Sequence, residues 1–492
     1  MTPTQVLRKN PFVVPIPPVV NGVAPIAKPA QVVTLPADQV TYELRTQADF
    51  VRQFSVTSHL INSIKYYPNT VYINKEEGAY QAKVRSRIAV GFQERIKTKR
   101  KTALLGNNVG MKLISGSSSQ KALDTLAFFR EGWEEKNLEV AVDKAIESDY
   151  ITADCAIYCY MNDGKFGWRV FSYSDGDTLY PHYHPLTGEL CLLGRLYKDE
   201  DFDGNAKVYL DVIDSTSFAT YEQSENSAEW KLVGKVTPHG FPTCPVAYHR
   251  SKYGPVWSAS QGLIDGYEVA ISQFSENNAA YALRILYTLG ADMEVLTNVD
   301  GTPNRIDSID PNAKVGFLEP AQGADGAFAA QLGIMEKNIM RGSFAVETPE
   351  IKSGADLSSR TVKMLFADSY LKAIEDSLEY QMFLDRVTYL FKFGYFLETN
   401  RVSEVDGFKV KPYLDPFVFM SENDIINAIQ QLVAAGAMST KTATEIAYNI
   451  GYGSPDECAR IAQEAHDALV AEAEANNQVA QTNPVTASRT NA

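Results

Sequence analysis

The sequence predicts an α+β protein of several domains, with long helices flanking a small β insert. Three observations carry that expectation. The chain has 492 residues, 45% apolar and 22% charged, enough to bury sizeable cores at roughly 150 residues per domain. Its apolar spacing switches repeatedly between the helical period and strict alternation. Late in the chain, two helical patterns are separated by residues 285–322, a strand-and-turn stretch punctuated by Asp300-Gly301, Pro303, Pro311 and Pro320.

Charge excludes some functions. Lys plus Arg number 46 and Asp plus Glu 60, a formal net charge of −14. Tight nonspecific DNA binding comes from neutralising phosphates with Lys and Arg, so this composition opposes it. It is compatible with DNA passing close by. No run approaches the ~18 apolar residues of a membrane span. Proline interrupts every early apolar stretch, which argues against a signal peptide. Cys155, Cys159, Cys191, Cys244 and Cys458 are odd in number and scattered, as expected in a reducing compartment without a disulfide framework.

Residues 1–39 hold eight of the 23 prolines, with Val and Ile between them. Proline fixes φ and removes a donor, so helix and central strand are both excluded. An extended arm on the body or on a neighbouring subunit is expected. From Val40 the pattern turns helical, with Phe50, Val51, Phe54, Leu60, Ile61 and Ile64 in an irregular series. The basic run Arg95, Lys97, Lys99, Arg100 and Lys101 suits a solvated turn, with contact to DNA or capsid as the alternative. Leu123, Leu126, Trp133, Leu138, Val142 and Ile146 predict one helix over Ser117–Ser148. Two strands should then meet at Asn162-Asp163-Gly164, and strands continue to about His249, with turns at Asp175-Gly176, 185–188 and Asp203-Gly204.

Helix returns at Ser258, with Leu263, Ile264, Tyr267, Ile271 and Phe274 on one face. A second helix is expected over about 324–344. A polar break follows, then a long helix over about 359–399, which would reach about 60 Å if straight. Ser421-Glu422-Asn423-Asp424 resembles a capping box opening a helix with Ile425, Ile426, Ile429, Leu432 and Val433 inward, stopped by Gly436. Thr440–Ile450 and 454–475 read as two further helices, and 476–492 as a polar, disordered tail.

Catalytic chemistry finds little support. His182 and His184 could face one way on a strand beside Asp175 and Asp177, but Pro181 and Pro185 bracket them and no third ligand is specified. Cys155 and Cys159, four apart on a strand, are about 13 Å apart, too far for a zinc pair, and read as buried thiols. The EF-hand series is incomplete, and GxxxxGK[ST], GxSxG and HExxH are all missing. Neither a catalytic set, a metal site nor a cofactor is expected.

The order of elements over about 115–475 resembles a phage portal protein. FFREGWEEKNLEVAVDKAIESDYITADCAIYCYM is similar to the wing helix and following strand, and YPHYHPLTGELCLLGRLY to the wing hairpin. GFPTCPVAYHRSKYGPVWSASQGLIDGYEVAISQFSENNA resembles the strand leading into the first stem helix. MEKNIMRGSFAVETPEIKSGADLSSRTVKMLFADSYLKAIED resembles the second stem helix, tunnel loop and long wing helix. ENDIINAIQQLVAAGAMSTKTATEIAYNIGYGSPDECARI is similar to the helical crown. Within the family the likeness lies nearest to portals of crAss-like phages. The Pro-rich arm is not a general feature of the family.

The resemblance implies a twelve-subunit, non-enzymatic ring at one capsid vertex, assembled in the host bacterial cytoplasm and carried in the virion. Its implied partners are double-stranded DNA, the terminase large subunit, the major capsid protein and head-tail adaptor or neck proteins. It implies an arm over 1–39, a wing over 40–258, stem helices at 259–284 and 323–344, a clip at 285–322 and a tunnel loop at 345–358. A long wing helix and return to the wing occupy 359–420, the crown 421–475 and the tail 476–492. The loop residues Glu347, Thr348, Pro349, Glu350, Ile351, Lys352, Ser353 and Gly354 would then meet DNA. Lys337 and Arg341 would line the stem channel, or pair across subunits with Glu268 or Glu276. Ile285, Leu289, Val295, Val315 and Phe317 would pack between subunits in the clip. The rival readings are a tail or baseplate component, and a metal-dependent hydrolase built on His182–His184.

Overall fold

The computed structural model describes residues 13–15, 44–73, 80–114, 120–200, 206–224, 229–282, 285–289, 294–297, 303–307, 314–318, 324–345, 366–416, 422–438 and 443–444. Two compact units are defined. One comprises Met1–Pro349 with Asp368–Phe417, the other Glu350–Ala367 with Val418–Ala492.

In the first unit, Val13–Pro15 (β1) pairs antiparallel with Leu44–Thr46 (β2), placing Pro15 opposite Leu44. The described part of the arm is therefore a short two-stranded pairing, a position that tolerates a residue without an N–H. Thr46 opens Gln47–Phe54 (α1) with a capping box, its hydroxyl accepting from the Asp49 amide while the Asp49 carboxylate accepts from the Thr46 amide. Two 3₁₀ turns, Val56–Ser58 and Leu60–Asn62, follow where the irregular apolar series predicts helix. Thr70–Ile73 (β3) pairs with Tyr80–Lys83 (β4).

The basic run lies on a helix, Phe92–Leu105 (α2), and not on a solvated turn. Lys97 and Lys101 reach Glu147 at 2.7 and 2.6 Å, Lys101 reaches Asp143 at 2.9 Å, and Arg100 pairs with Asp376. These carboxylates lie 42 to 276 residues downstream, so only the fold reveals them. Val109–Leu113 (β5) comes next. The single helix expected over Ser117–Ser148 is two, Gln120–Glu135 (α3) and Leu138–Thr152 (α4). They part at Asn137, whose φ of 54° is a left-handed conformation that Asn adopts more readily than most residues.

Asp154–Asn162 (β6) and Lys165–Phe171 (β7) form the expected hairpin, with Asp163 and Gly164 at φ 49° and 76°. Thr178–Tyr183 (β8), Leu190–Glu200 (β9), Ala206–Ile213 (β10), Ser217–Ser224 (β11) and Lys231–Pro238 (β12) build an antiparallel sheet in the order β12-β11-β10-β9-β8. Val246–Arg250 (β13) pairs with β6, making a second sheet, β13-β6-β7. Between the two sheets lie Ala156, Phe171, Leu179, Leu193, Ile213 and Val246.

Gln261–Ala282 (α5) precedes the β insert. Within it, Ile285–Leu289 (β14) pairs with Lys314–Leu318 (β17), and Glu294–Thr297 (β15) with Pro303–Asp307 (β16). Ala324–Gly342 (α6) follows. The described part of the long helix expected over about 359–399 is two helices, Ala367–Glu379 (α7) and Gln381–Glu398 (α8), parted at Tyr380. Buried there, Tyr380 donates its hydroxyl to Asp149, a contact unavailable to an outward-facing residue. Val410–Leu414 (β18) then pairs with β5, bringing the chain back some 300 residues.

The main core packs α3, α4 and α8 on β13-β6-β7. Phe129 sits at its centre, 5.0 Å from Phe391 and 5.4 Å from Phe408, ring centre to ring centre. Two close approaches require glycine. A Cβ on Gly132 would fall 2.3 Å from the Tyr395 ring, and one on Gly394 2.3 Å from the Phe166 ring.

In the second unit, Glu422–Ala434 (α9) matches the expected first crown helix. It stops in a Schellman motif: Gly436, at φ 67°, donates to Val433, and Ala437 donates to Leu432. Leu432, expected inward, is 42% exposed. Apart from Ala443 and Thr444, the two later helices and the tail lie outside the described residues.

Candidate functional site

The two helices flanking the β insert, α5 and α6, run antiparallel. At one end the Ser343 hydroxyl donates to the Ser260 hydroxyl at 2.8 Å, and Ser260 donates to the Ile339 carbonyl at 2.9 Å. Further along, a Cβ on Gly266 would touch the Met335 methyl at 3.7 Å, and Phe274 stacks on Phe328 at 5.1 Å. At 22 residues, α5 is about 33 Å long.

One end of the pair is anchored in the body. Trp257, Phe92, Ile96, Ile264 and Ile339 are buried together. The Trp257 indole donates to Gln53 at 3.1 Å, and its ring stacks on Phe54. Ile264 carries the apolar stripe read from the sequence, whereas Leu263 from that stripe is 42% exposed.

A polar stripe on α5 was not legible as such. Glu268, Ser272 and Glu276 are spaced four apart and share one face. The segment 84–91, between β4 and α2, runs along them. Val90 donates its amide to Glu268 at 2.8 Å, and Ile88 donates to Ser272 at 2.9 Å. The Arg85 guanidinium donates to Glu276 at 3.1–3.2 Å. His59 Nδ1 lies 2.6 Å from Glu268. The two glutamates considered as partners for Lys337 and Arg341 are thus engaged by their own chain. The available signal was the four-residue spacing of Glu268, Ser272 and Glu276.

Lys337 and Arg341 are exposed, one turn apart on α6, and neighbouring Glu336 reaches Arg95 at 3.6 Å. Ile285 and Leu289 lie on β14, opposite Leu318 and Lys314. Val315 and Phe317 lie on β17, opposite Thr288 and Leu286, and Val295 on β15 faces Ile306 across the ladder. The candidate loop residues Glu347, Thr348, Pro349, Glu350, Ile351, Lys352, Ser353 and Gly354 lie outside the described residues.

The residues weighed for metal chemistry have structural roles. His184 Nδ1 accepts from the Leu186 and Thr187 amides, tying its own turn, while His182 is buried in β8. Asp177 and Asp211 are both bound by buried Arg195, at 2.8 and 3.0 Å. Cys155 and Cys159 are buried on β6, and burial pushes the Cys159 thiol up to about 12, disfavouring the reactive thiolate. Among the described residues, no group of three His, Cys, Asp or Glu is placed to hold a metal ion. Among them also, no helix is long and apolar enough to cross a membrane.

The sequence matches the family model described as "Phage portal protein, SPP1 Gp6-like" over residues 56–470. The chain belongs to the phage portal protein family. The match takes in the body from residue 56 onward, both helices of the pair, the insert between them and α9. Portal proteins are virion components, and this portal chain is accordingly a phage structural protein. No curated protein matches it in sequence. A solved structure similar to it is described as "Neck of empty GTA particle computed with C6 symmetry". The identity is 12%, covering 74% of this chain and 90% of that one, with a TM-score of 0.37.

Proposed function

We propose that this portal protein forms a closed, dodecameric ring at one capsid vertex and provides the channel for double-stranded DNA packaging and ejection. One observation carries the reading. Two antiparallel helices are anchored in the body at one end, and a small β insert connects them at the other. That order suits a stem with a clip at its tip; a tail or baseplate component has no need of it. In this reading 40–258 and 359–420 form the wing, 259–284 and 323–344 the stem, 285–322 the clip, 345–358 the tunnel loop and 421–475 the crown.

The clip would dock the terminase large subunit during packaging and the adaptor or neck proteins afterwards, and the wing would meet the major capsid protein. Ile285, Leu289, Val295, Val315 and Phe317 would join neighbouring clips. The chain performs no chemical step in this role. Its net charge of −14 supports a conduit, because each firm phosphate contact would have to break as the duplex advances. Exposed Lys337 and Arg341, together with Lys352 of the loop, would give transient contacts.

Electron microscopy of the purified chain tests the proposal. Closed rings with a central hole are expected, and their symmetry gives the subunit number. Heterologous contacts that close on themselves make rings. A folded preparation holding only monomers or dimers counts against the channel reading.

A further inference from the structure

We propose that residues 84–91 form a strap holding α5 to the body, and that the buried His59–Glu268 pair is its proton-dependent latch. The fastening is a property of the folded chain; its bearing on a DNA channel rests on the reading above.

The contacts follow one another in register. Along the strap from Val90 to Arg85, the partners on α5 advance from Glu268 through Ser272 to Glu276. Ser86 adds a hydroxyl contact to Ser275 at 3.3 Å. A helical turn rises about 5.4 Å, which an extended chain covers in about two residues, the spacing of Val90 and Ile88. Two strap amides, those of Ile88 and Val90, are therefore satisfied on side chains of α5.

The latch closes one end. The side chains of His59 and Glu268 are 3% and 1% exposed. Glu268 gathers both the ring nitrogen and the Val90 amide on one oxygen. Two elements present groups that act on His59. α5 presents Glu268 and Asp265, and α1 presents the Gln53 carbonyl. The strap's two cations are both engaged away from His59: Arg85 sits over the Tyr67 ring at 3.9 Å and pairs with Glu276, and Arg87 donates to the Tyr67 carbonyl and to Asn69 at 3.0 and 2.7 Å. Burial disfavours the imidazolium, but the hydrogen bond and charge of Glu268 outweigh it, and the pKa of His59 is raised. Losing the proton would leave Glu268 a buried carboxylate without its countercharge.

The sign follows directly. A histidine whose folded pKa is raised contributes stability that is complete below its ordinary value near 6.5 and is lost as pH rises through the folded value. The strap should therefore hold most firmly in mildly acidic solution and loosen in alkaline solution.

Amide hydrogen exchange of the full chain, corrected for the intrinsic rate at each pH, reads the strap directly through the Ile88 and Val90 amides. In the native chain, protection of the peptide spanning 84–91 should fall several-fold between pH 6 and pH 9. In His59→Gln it should be reduced at pH 6 and show little further change at pH 9. Glu268→Gln keeps an acceptor for Val90 but removes the charge, and should also flatten the dependence. That variant decides the matter if His59→Gln does not fold. Equal protection at both pH values in the native chain, or the same fall in both variants, overturns the latch. Intact rings with a pH-independent strap would sink the latch alone, whereas monomers with a pH-dependent strap would sink only the ring.

Discussion

Replacing Asp154 by Asn removes a buried titrating carboxyl at almost constant shape. Asp154 opens β6 and is 1% exposed. Gln47 donates to its Oδ1 at 2.5 Å, and the Tyr248 hydroxyl reaches Oδ2 at 3.4 Å. Burial, and then the nearby charge of Asp149, push its pKa up to about 7 from an ordinary 3.8. The folded protein thus holds the proton more tightly than the unfolded chain. The associated stability is complete below the ordinary value, is lost as pH rises towards 7, and is gone above it. Three units at 1.36 kcal/mol each set an upper bound of roughly 4 kcal/mol on the destabilisation by the ionised form at pH 8. Asn carries no such penalty and keeps an acceptor for Gln47. If about 350 residues unfold together, with roughly 2.1 cal/mol/K each, the gain corresponds to a Tm rise of at most about 5 °C. Tryptophan fluorescence melting from pH 5 to 8.5 is the assay. Asp154→Asn should melt higher than the native chain at pH 8, and the difference should shrink towards pH 5. Parallel pH profiles for the two proteins would refute the reasoning, because Asp154 would then not change its proton affinity on folding.

Gly132→Ala should lower stability by about 1–3 kcal/mol, since its Cβ meets the Tyr395 ring at 2.3 Å in a filled core; a melting point unchanged from native would contradict that packing. Arg100→Met leaves Asp376 buried and short of its main cation, and should cost about 3–5 kcal/mol by chemical denaturation; a loss under 1 kcal/mol would show that Lys372 compensates. Replacing residues 291–318 by a short Gly/Ser turn should leave the body folded by circular dichroism but abolish DNA packaging; normal packaging would reject the clip assignment. Lys352→Glu should permit rings and heads but reduce retained DNA, and unchanged packaging and retention after replacing Glu347, Glu350 and Lys352 together by Ala would remove the loop from the channel's working parts.

What the sequence determined by itself was local. Asp163-Gly164 demands positive φ in a two-residue turn, and Gly436 ends α9, because backbone sterics act over neighbouring residues. The helix–insert–helix order was equally legible, since apolar period and turn residues are written along the chain. Tertiary structure alone decided where the long patterns break. An apolar period continues smoothly through Asn137 and Tyr380, yet α3 and α4 must both face one core, and Tyr380 turns inward to Asp149. It also decided the polar partners. Arg85 finds Glu276 across 191 residues and Arg100 finds Asp376 across 276. A charge carries no record of the segment that will neutralise it. Burial removes water, and the carboxylate the fold brings within reach then becomes its partner.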